Sequence, residues 1–514
     1  MRPNTRSHGV IRSRLTSQGL AALAVPLFAF GLRTVGLAGR ALWYDEAFAM
    51  LYAALSYPRM LYGTVSPVEG AGAADVHPLA YYVLLHNWMQ AVGRTPFAVR
   101  YLSVCLGVVT VALVWHMAHR LFDRRSGLAA GLLVATNPFH VAYSREARMY
   151  ALLGLAVVAA TYGMLRAFDS SRSGKRAWPW WGVYVASASL TLYAHNLGAL
   201  FLLVLNVQCV LRPDWRKRTV LLIIANAIVF TLSAPWMIGV LPGQLGFVRR
   251  GYWVARPGGA ELLRSLMLLT LTYYEPAPLW VLGLGLFAGL LSLVLLALRL
   301  LRRRSPVARF TMLVWAPVLL LFSVAQRWPV YLERALLPAA LFYCIVAGWL
   351  VAGAGLPRVM RWTLVLPLAV GAVGSLWTHY TYAAFPRPPF PRAAAYLESR
   401  LEPGDVVVHT NKLTYFPMAV YAPHLPAVFL ADEPGSPQDT LARPTQVALG
   451  LYARPDMASC VVDEGRVWLV YFDREVDQRG AAHPGLVWLT RDFAPIEEMV
   501  FNDLQVVLLQ RQDG

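Results

Sequence analysis

Two adjacent acids, Asp45 and Glu46, lie in the stretch ALWYDEAFAM, directly after the first apolar run. The apolar residues around them predict an amphipathic helix over residues 43–57 that lies on the membrane surface. Neighbours on a helix point about 100° apart, so the two carboxylates do not share a proton. We expect Asp45 to face a cavity as a general base, and Glu46 to orient the site or pair with an arginine. The alternative is a solvated helix start, where acids suit the positive end of the helix dipole.

A second pair, Asp75 and His77, stands two residues apart in DVHPLAYYVLLHNW. In an extended segment such residues share a face, and Pro78 then suits the first position of a helix. The pair can bind a sugar hydroxyl of the substrate or a divalent cation. The alternative is a helix cap with a partnering histidine. Two ligands alone are weak evidence for a metal, so metal binding stays open.

Two arginines in NPFHVAYSREARMYALL carry a different chemistry. Arg145 and Arg148 are three residues apart, which predicts one helix face, with Tyr143 and Tyr150 alongside. Paired guanidinium groups can bind a phosphate bidentately. An ion pair of Glu146 with one of these arginines is the alternative.

Further cations and a histidine stand at other predicted outer helix ends. Arg327 and Arg334 lie in QRWPVYLERALLPA beside Trp328 and Tyr331, where snorkelling to lipid phosphates is the alternative. His195 lies in LYAHNLG, where a hydrogen-bonded helix end is the simpler interpretation. If these groups converge with the acids, they form one outward-facing site beside lipid, in which Asp45 and Arg148 line the same cavity. Such a site suits transfer of a group from a lipid phosphate to an outside acceptor.

The elements that must position these residues are membrane helices. The chain has 514 residues, of which 57% are hydrophobic and 14% charged, against roughly 25% charged in soluble domains. Apolar runs long enough to span a bilayer recur through the first 380 positions. The fold class is therefore mainly α, a polytopic membrane protein of about eleven spans. The predicted spans are 17–38, 97–121, 127–141, 148–167, 178–195, 197–211, 219–241, 277–300, 311–325, 335–355 and 362–380.

The net charge of +18 predicts an orientation rather than a nucleic-acid partner. Basic clusters stand between the apolar runs, at alternate ends, as the positive-inside rule requires for cytoplasmic loops. The N-terminus is then cytoplasmic, the first run is a retained signal anchor, and the C-terminus lies outside. All the acids and arginines above then face outward.

Composition changes after Tyr380. A Pro-rich linker, a short helix and strand-like runs such as VWLVYFD and LQVVLLQ predict a small extracytoplasmic α/β domain over residues 381–514. Residues 1–380 form the transmembrane catalytic domain. Of the four cysteines, the first three fall in apolar runs and have no metal-ligand spacing, and Cys460 alone in the tail allows no disulfide framework there.

These motifs resemble the GT-C polytopic glycosyltransferases, in the branch of protein O-mannosyltransferases and lipid A aminoarabinose transferases. The resemblance covers most of residues 15–380 and is carried by WYDEA, DVHPLAYYVLLHNW, NPFHVAYSREARMYAL, LYAHNLG and YLERALLPA, in that order. The second motif departs from a family-like HPPLYY block, because Leu79 replaces the second proline. The resemblance implies a GT-C-like fold.

It also implies roles for single residues. Asp45 corresponds to the family's loop aspartate, the expected base, and Glu46 to its acidic companion. Arg145, Arg148 and Arg334 fall where cations are expected near the donor phosphate, with Tyr150 beside them. The remaining candidates, assigned to substrate binding, are Asp75, His77, Tyr143, His195 and Arg327.

The implied reaction moves a sugar, with inversion, from a polyprenyl-phosphate donor to a cell-envelope glycan, lipid or protein at the outer face of the plasma membrane. No cofactor is required, although a divalent cation is possible. A lipid or sugar transporter is the main rival, but transporters usually place ionisable residues at mid-membrane near broken helices. A lipid phosphatase is disfavoured, because the sequence lacks the sets of histidine and arginine that such an enzyme needs. A scaffold role for the outer tail stays open.

Overall fold

A computed structural model of the protein describes residues 23–68, 77–211, 219–250, 254–272, 277–302, 307–432, 441–461, 465–474, 487 and 491–512. The chain divides into two compact units, each formed from three segments. The helical unit comprises Met1–Val35, Arg100–Gly239 and Val254–Thr381. The mixed unit comprises Gly36–Val99, Val240–Trp253 and Tyr382–Gly514.

Helices dominate the described residues. In chain order they are α1 (Leu23–Thr34), α2 (Tyr44–Ala53), α3 (Tyr57–Val65), α4 (Ala80–Val92), α5 (Pro96–Leu121), α6 (Arg124–Thr136), α7 (Pro138–Tyr143), α8 (Tyr150–Arg172), α9 (Trp178–Ala194), α10 (Gly198–Val210), α11 (Thr219–Gly239), α12 (Leu241–Arg250), α13 (Gly259–Thr270), α14 (Leu279–Arg302), α15 (Val307–Ala325), α16 (Leu337–Ala352), α17 (Arg358–Thr381), α18 (Phe390–Arg400), α19 (Lys412–Tyr421) and α20 (Arg443–Leu449). A 3-10 turn over Glu333–Leu336 leads directly into α16.

The multi-pass helical architecture predicted from hydropathy is confirmed. Among the described residues, seven helices are long and apolar enough to cross a membrane: α5, α8, α11, α14, α15, α16 with its preceding turn, and α17. Each of the eleven predicted spans overlaps a helix of the structure. The count of eleven membrane crossings stays a prediction.

The third predicted span is not one helix, because the chain breaks at Asn137. The Asn137 side chain accepts a hydrogen bond from the His140 amide at 2.9 Å, so it caps α7, and Pro138 takes the first position of that helix. Asn137 Nδ2 also donates to the carbonyls of Leu269 and Thr270, each at 3.3 Å. An asparagine followed by proline is a helix-start signal, which the surrounding apolar run hides from a hydropathy window.

Close helix packing in the helical unit depends on small residues, as is common between membrane helices. A β-carbon added at Gly348 of α16 would lie 2.6 Å from the backbone nitrogen of Ala130 in α6. Because backbone cannot move aside as a side chain can, we expect Gly348→Ala to destabilise the protein by about 2 kcal/mol. The melting temperature in detergent measures this. Gly283→Ala is the matched control, since no atom lies within 4 Å of its added carbon; equal melting temperatures for the two variants would contradict the prediction.

The mixed unit contains a five-stranded sheet with strand order β2-β1-β3-β5-β4. The strands are β1 (Val406–His409), β2 (Ala427–Phe429), β3 (Arg466–Phe472), β4 (Phe493–Phe501) and β5 (Leu504–Arg511). β1 pairs in parallel with β2 and β3, while β5 pairs antiparallel with β3 and β4. The predicted α/β class of the tail is confirmed, as are the strands at VWLVYFD and LQVVLLQ and the short helix, which is α18.

The central strand β3 is buried on both faces. Trp468, Val470 and Phe472 enter one apolar core with Phe390 and Leu397 of α18. Its alternate residues, including Val467 and Leu469, enter a second core on the other face. Alternation along the strand therefore places the sheet between two apolar layers.

The acidic stretch ALWYDEAFAM is part of this mixed unit, where α2 packs against α19 and α3 against α20. The surface helix predicted for residues 43–57 is therefore wrong in extent and in exposure. α2 ends at Ala53, a second helix begins at Tyr57, and Phe48 and Tyr52 are buried. The physical reason is aromatic packing, because the Phe48 ring lies 5.9 Å from the ring of Phe416 in α19.

The end of β1 carries a histidine that links the stability of this unit to pH. His409 is fully buried, its Nδ1 lies 3.0 Å from the Thr414 hydroxyl, and burial lowers its pKa to about 3. Because an exposed histidine titrates near 6.5, the unfolded chain binds more protons than the folded one between about pH 3 and pH 6.5. Stability is thus fully present above that window and falls as pH falls, by about 3 kcal/mol at pH 4.

Unfolding of the full-length protein in detergent at pH 7 and pH 4 tests this linkage. His409→Asn should lose part of the pH dependence. The control is His424→Asn, since the His424 side chain is 68% exposed in its pair with Glu398. Equal pH dependence for wild type and His409→Asn would show that His409 is not responsible.

Candidate functional site

One tyrosine of the helical unit lies against several of the predicted site residues. Tyr150 begins α8 and is fully buried. Its ring lies 4.8 Å from the Tyr143 ring and 5.8 Å from the His195 ring. The Arg334 guanidinium lies 5.6 Å from the Tyr150 ring centroid, within range of a cation–π contact. We call Tyr143, Arg148, Tyr150, His195 and Arg334 the tyrosine–arginine cluster.

His195 brings an imidazole ring into this cluster. It caps the C-terminus of α9, and its Nδ1 accepts a hydrogen bond from the Leu197 amide at 3.1 Å. An imidazole whose Nδ1 accepts carries its proton on Nε2. Arg148 and Arg334 both act electrostatically on this ring. Two guanidinium groups and one N–H donor therefore share a mostly buried region, an arrangement that suits an anion with several oxygens.

Arg145 and Arg148 do not share a helix face, so that prediction is wrong. Residues 144–149 form a turn between α7 and α8 rather than helix. Both arginines are buried, with 4% and 3% exposure. The rule that residues three apart share a face holds only within a helix. The turn gives the two side chains different surroundings.

Arg145 holds the end of α1. Its Nη1 donates to the carbonyls of Leu32, Arg33 and Val35 at 3.2, 3.0 and 2.7 Å. Its guanidinium also lies 4.8 Å from the ring of Tyr380, whose hydroxyl donates to the Leu32 carbonyl. A cation at a helix C-terminus satisfies carbonyls that lack helical partners. A phosphate-binding role for Arg145 stays a prediction, beside this structural one.

Arg33 is a buried charge that the sequence reasoning missed. It donates to the carbonyls of Ala29, Val134 and Ala135, and its Nη2 lies 2.9 Å from His140 Nδ1. The available signal was an arginine inside an apolar run, which marks a structural or functional role. Its contacts join α1 to the end of α6.

The 3-10 turn that carries Arg334 is tied down by its neighbour. Glu333 is 5% exposed, and its carboxylate lies 3.4 Å from Arg264 of α13. Arg327, by contrast, lies in an exposed turn after α15. No ring contact or ion pair within the described ranges joins it to the tyrosine–arginine cluster, so its substrate role stays a prediction.

The two acids of α2, in the mixed unit, differ in their surroundings. Asp45 is partly exposed, whereas Glu46 is fully buried and its Oε2 lies 3.1 Å from Arg387 Nη1. The prediction that one acid pairs with a cation is confirmed. The partner follows the last helix of the helical unit in sequence, 341 residues away, and sequence reasoning did not identify it. The roles of Asp45 and Glu46 in catalysis stay predictions.

The Asp75–His77 motif is only partly described. Asp75 lies outside the described residues, and His77 is half-buried ahead of α4. That helix starts at Ala80 with Leu79 as its cap, so Pro78 is not the first helical residue as predicted. Among the residues that the structure describes, no group of three His, Cys, Asp or Glu could hold a metal ion. The structure leaves the metal requirement open.

The class of this protein is a multi-pass membrane protein with a GT-C-type fold. It is defined by the apolar membrane helices, the buried tyrosine–arginine cluster and the α/β unit of 36–99, 240–253 and 382–514. A family model described as dolichyl-phosphate-mannose-protein mannosyltransferase matches residues 76–238. A curated relative, the undecaprenyl phosphate-alpha-4-amino-4-deoxy-L-arabinose arabinosyl transferase of Pectobacterium carotovorum subsp. carotovorum, is 27% identical over 308 residues. The matched region covers 58% of this chain and 54% of that protein, so the chain spans about half the length of this relative.

Solved structures share the fold over nearly the whole chain. ArnT from Cupriavidus metallidurans in the apo state has a TM-score of 0.62 at 14% identity, covering 96% of this chain and 98% of that chain. The same protein bound to undecaprenyl phosphate has a TM-score of 0.60 with the same identity and coverage. The archaeal oligosaccharyltransferase AglB from Archaeoglobus fulgidus has a TM-score of 0.54 at 11% identity, covering 95% and 73%. The resemblance to GT-C glycosyltransferases indicated by the sequence motifs is confirmed.

Proposed function

We propose that this protein is an inverting glycosyltransferase that moves a sugar from a polyprenyl-phosphate donor to a cell-envelope acceptor at the outer face of the plasma membrane. The observation that carries the proposal is the tyrosine–arginine cluster, where Arg148, Arg334 and the Nε2–H of His195 gather in a mostly buried region. Guanidinium groups bind phosphate oxygens in a bidentate geometry, and a lipid phosphate presents such oxygens. The similarity to an arabinosyl transferase named for undecaprenyl phosphate supports the same donor class.

In this proposal the cluster holds the donor phosphate. Arg148 and Arg334 bind its non-bridging oxygens, and His195 donates a hydrogen bond to it from Nε2. Tyr150 holds the Arg334 guanidinium by a cation–π contact with its ring. Guanidinium groups fit phosphate oxygens in a fixed planar geometry. Negative charge grows on the phosphate as the sugar leaves, so these donors act most strongly in the transition state.

Asp45 is the proposed general base. It removes the proton of the acceptor group while the acceptor atom attacks the anomeric carbon. The glycosyl–phosphate bond breaks as the new bond forms, and direct displacement inverts the anomeric centre. Polyprenyl phosphate then leaves as an anion.

The setting of the reaction is proposed from the charge pattern. Basic segments between the apolar runs indicate a cytoplasmic N-terminus and an extracytoplasmic C-terminal domain over 381–514, after a transmembrane catalytic domain over 1–380. The acceptor is a glycan, lipid or protein of the envelope. Residues Asp75, His77, Tyr143 and Arg327 contribute to its binding. No observation favours the transporter alternative.

The test is transfer by the purified full-length protein in liposomes. Labelled undecaprenyl-phosphate sugars are supplied with cell-envelope fractions, and both released undecaprenyl phosphate and labelled acceptor are measured. We expect the two products in equal amounts, with the sugar in the opposite anomeric configuration. Donor that crosses the bilayer unchanged would support transport instead. A donor series that is never consumed would overturn the proposal.

A further inference from the structure

We propose that Arg387 is a positioning residue that sets the direction of α2, and that the C-terminal part of the chain thereby belongs to the catalytic machinery. This inference rests on the proposed function, since α2 carries the proposed base Asp45. Arg387 contacts no reacting atom in the proposed reaction. It acts through Glu46.

The contact itself is a buried ion pair. Arg387 Nη1 lies 3.1 Å from Glu46 Oε2, and the two side chains are 5% and 0% exposed. The Arg387 guanidinium also lies 5.9 Å from the ring of Trp43, the residue that caps α2. A buried charge that loses its partner is strongly unfavourable, so the pair holds the first turn of α2 in one place. Asp45 precedes Glu46 in that turn, and its direction is fixed with it.

Arg387 is in turn fixed by the sheet. The preceding Phe385 ring lies 5.1 Å from the ring of Phe472 at the end of β3, and Arg474 lies 4.2 Å from the Phe385 ring centroid. Asn502, in the β4–β5 turn, donates to the carbonyl of Ala383 at 2.8 Å. The segment that carries Arg387 is thus held by the far end of the chain.

A second set of contacts holds the same helix. The Leu42 amide, just before α2, donates to the Tyr421 hydroxyl at 2.8 Å. Rings of Tyr44 and Phe48 lie 5.6 and 5.9 Å from the ring of Phe416. These contacts keep α2 folded onto α19, so loss of the Arg387 pair should loosen the first turn without unfolding the unit.

Misplacement of a catalytic group by about 1 Å can cost about 100-fold in rate. Arg387→Gln should therefore lower kcat by about 10- to 100-fold, with the KM for the donor within about threefold of wild type. Arg387→Lys, which keeps the charge but not the planar fork, should restore part of that loss. Arg400→Gln is the matched control, because Arg400 and Glu497 form an ion pair in the same unit with side chains 54% and 30% exposed. It should leave kcat unchanged.

Hydrogen exchange gives a readout that does not depend on activity. In Arg387→Gln we expect amides of α2 to exchange at least about tenfold faster, while those of β3 and β5 keep their wild-type rates. Unchanged exchange in α2 together with wild-type kcat would overturn the inference. If the wild type transfers no sugar from any donor, the proposed function fails, and the exchange result alone decides whether Arg387 positions α2.

The double variant Glu46→Gln/Arg387→Gln covers the case in which the single variant does not fold. It leaves no lone buried charge, so we expect a wild-type melting temperature with kcat still lowered at least about tenfold. A double variant with both wild-type stability and wild-type kcat would show that the pair is structural only, and would overturn the inference.

Discussion

Asp45→Asn is expected to lower the rate of sugar transfer by about 1,000-fold. Asparagine keeps the size and the hydrogen-bonding reach of the side chain but cannot accept the acceptor's proton. Asp45 is the partly exposed member of its pair, whereas Glu46 is buried against Arg387. We therefore expect Asp45, the more exposed of the two acids, to be the one whose loss affects the chemistry most.

The measurement is kcat at saturating donor, with undecaprenyl phosphate binding measured beside it. Binding should be unchanged, because the base contributes nothing to holding the phosphate. Asp45→Glu should recover a small part of the rate. The control is Asp169→Asn, which changes an exposed acid near the end of α8. A wild-type rate for Asp45→Asn would exclude Asp45 as the base.

Arg148→Gln and Arg334→Gln should each lower kcat/KM by about 100-fold, the usual cost of one donor to a developing oxyanion. Both residues belong to the tyrosine–arginine cluster and are proposed to bind the same phosphate, so their effects should not simply add. Lysine at either position should recover little, since it cannot form the bidentate contact.

Affinity for undecaprenyl phosphate separates this prediction from the previous one, since both arginine variants should bind it more weakly. Arg176→Gln, an exposed arginine in the turn before α9, is the control. Undiminished phosphate affinity in both arginine variants would place the donor phosphate elsewhere.

Hydropathy and the periodicity of apolar residues were enough to predict the membrane helices and the α/β tail. Runs of apolar residues give each helix a local signal, and β3 and β5 are read from β-branched and aromatic residues. Local signals fail where a helix stops within an apolar run. Asn137 and Pro138 end α6 and start α7, and a turn over residues 144–149 separates the surroundings of Arg145 and Arg148.

Partners distant in sequence could not be predicted at all. The pairing of Glu46 with Arg387 joins residues 341 positions apart, and nothing in either stretch identifies the other. The burial of α2 has the same origin, since Phe416 covers Phe48. A short amphipathic helix suits a membrane surface and a protein core equally well, and only the tertiary partner decides between them.

The order of strands in the sheet has a consequence for biosynthesis. β5, over Leu504–Arg511, lies between β3 and β4, although it follows both of them in the chain. Until these residues have been made, β3 lacks one neighbour and the segment that carries Arg387 lacks its hydrogen bond from Asn502. Domains generally fold as units once their segments are available. The acidic helix α2 is therefore made early in translation and gains this support only after β5 has been synthesised.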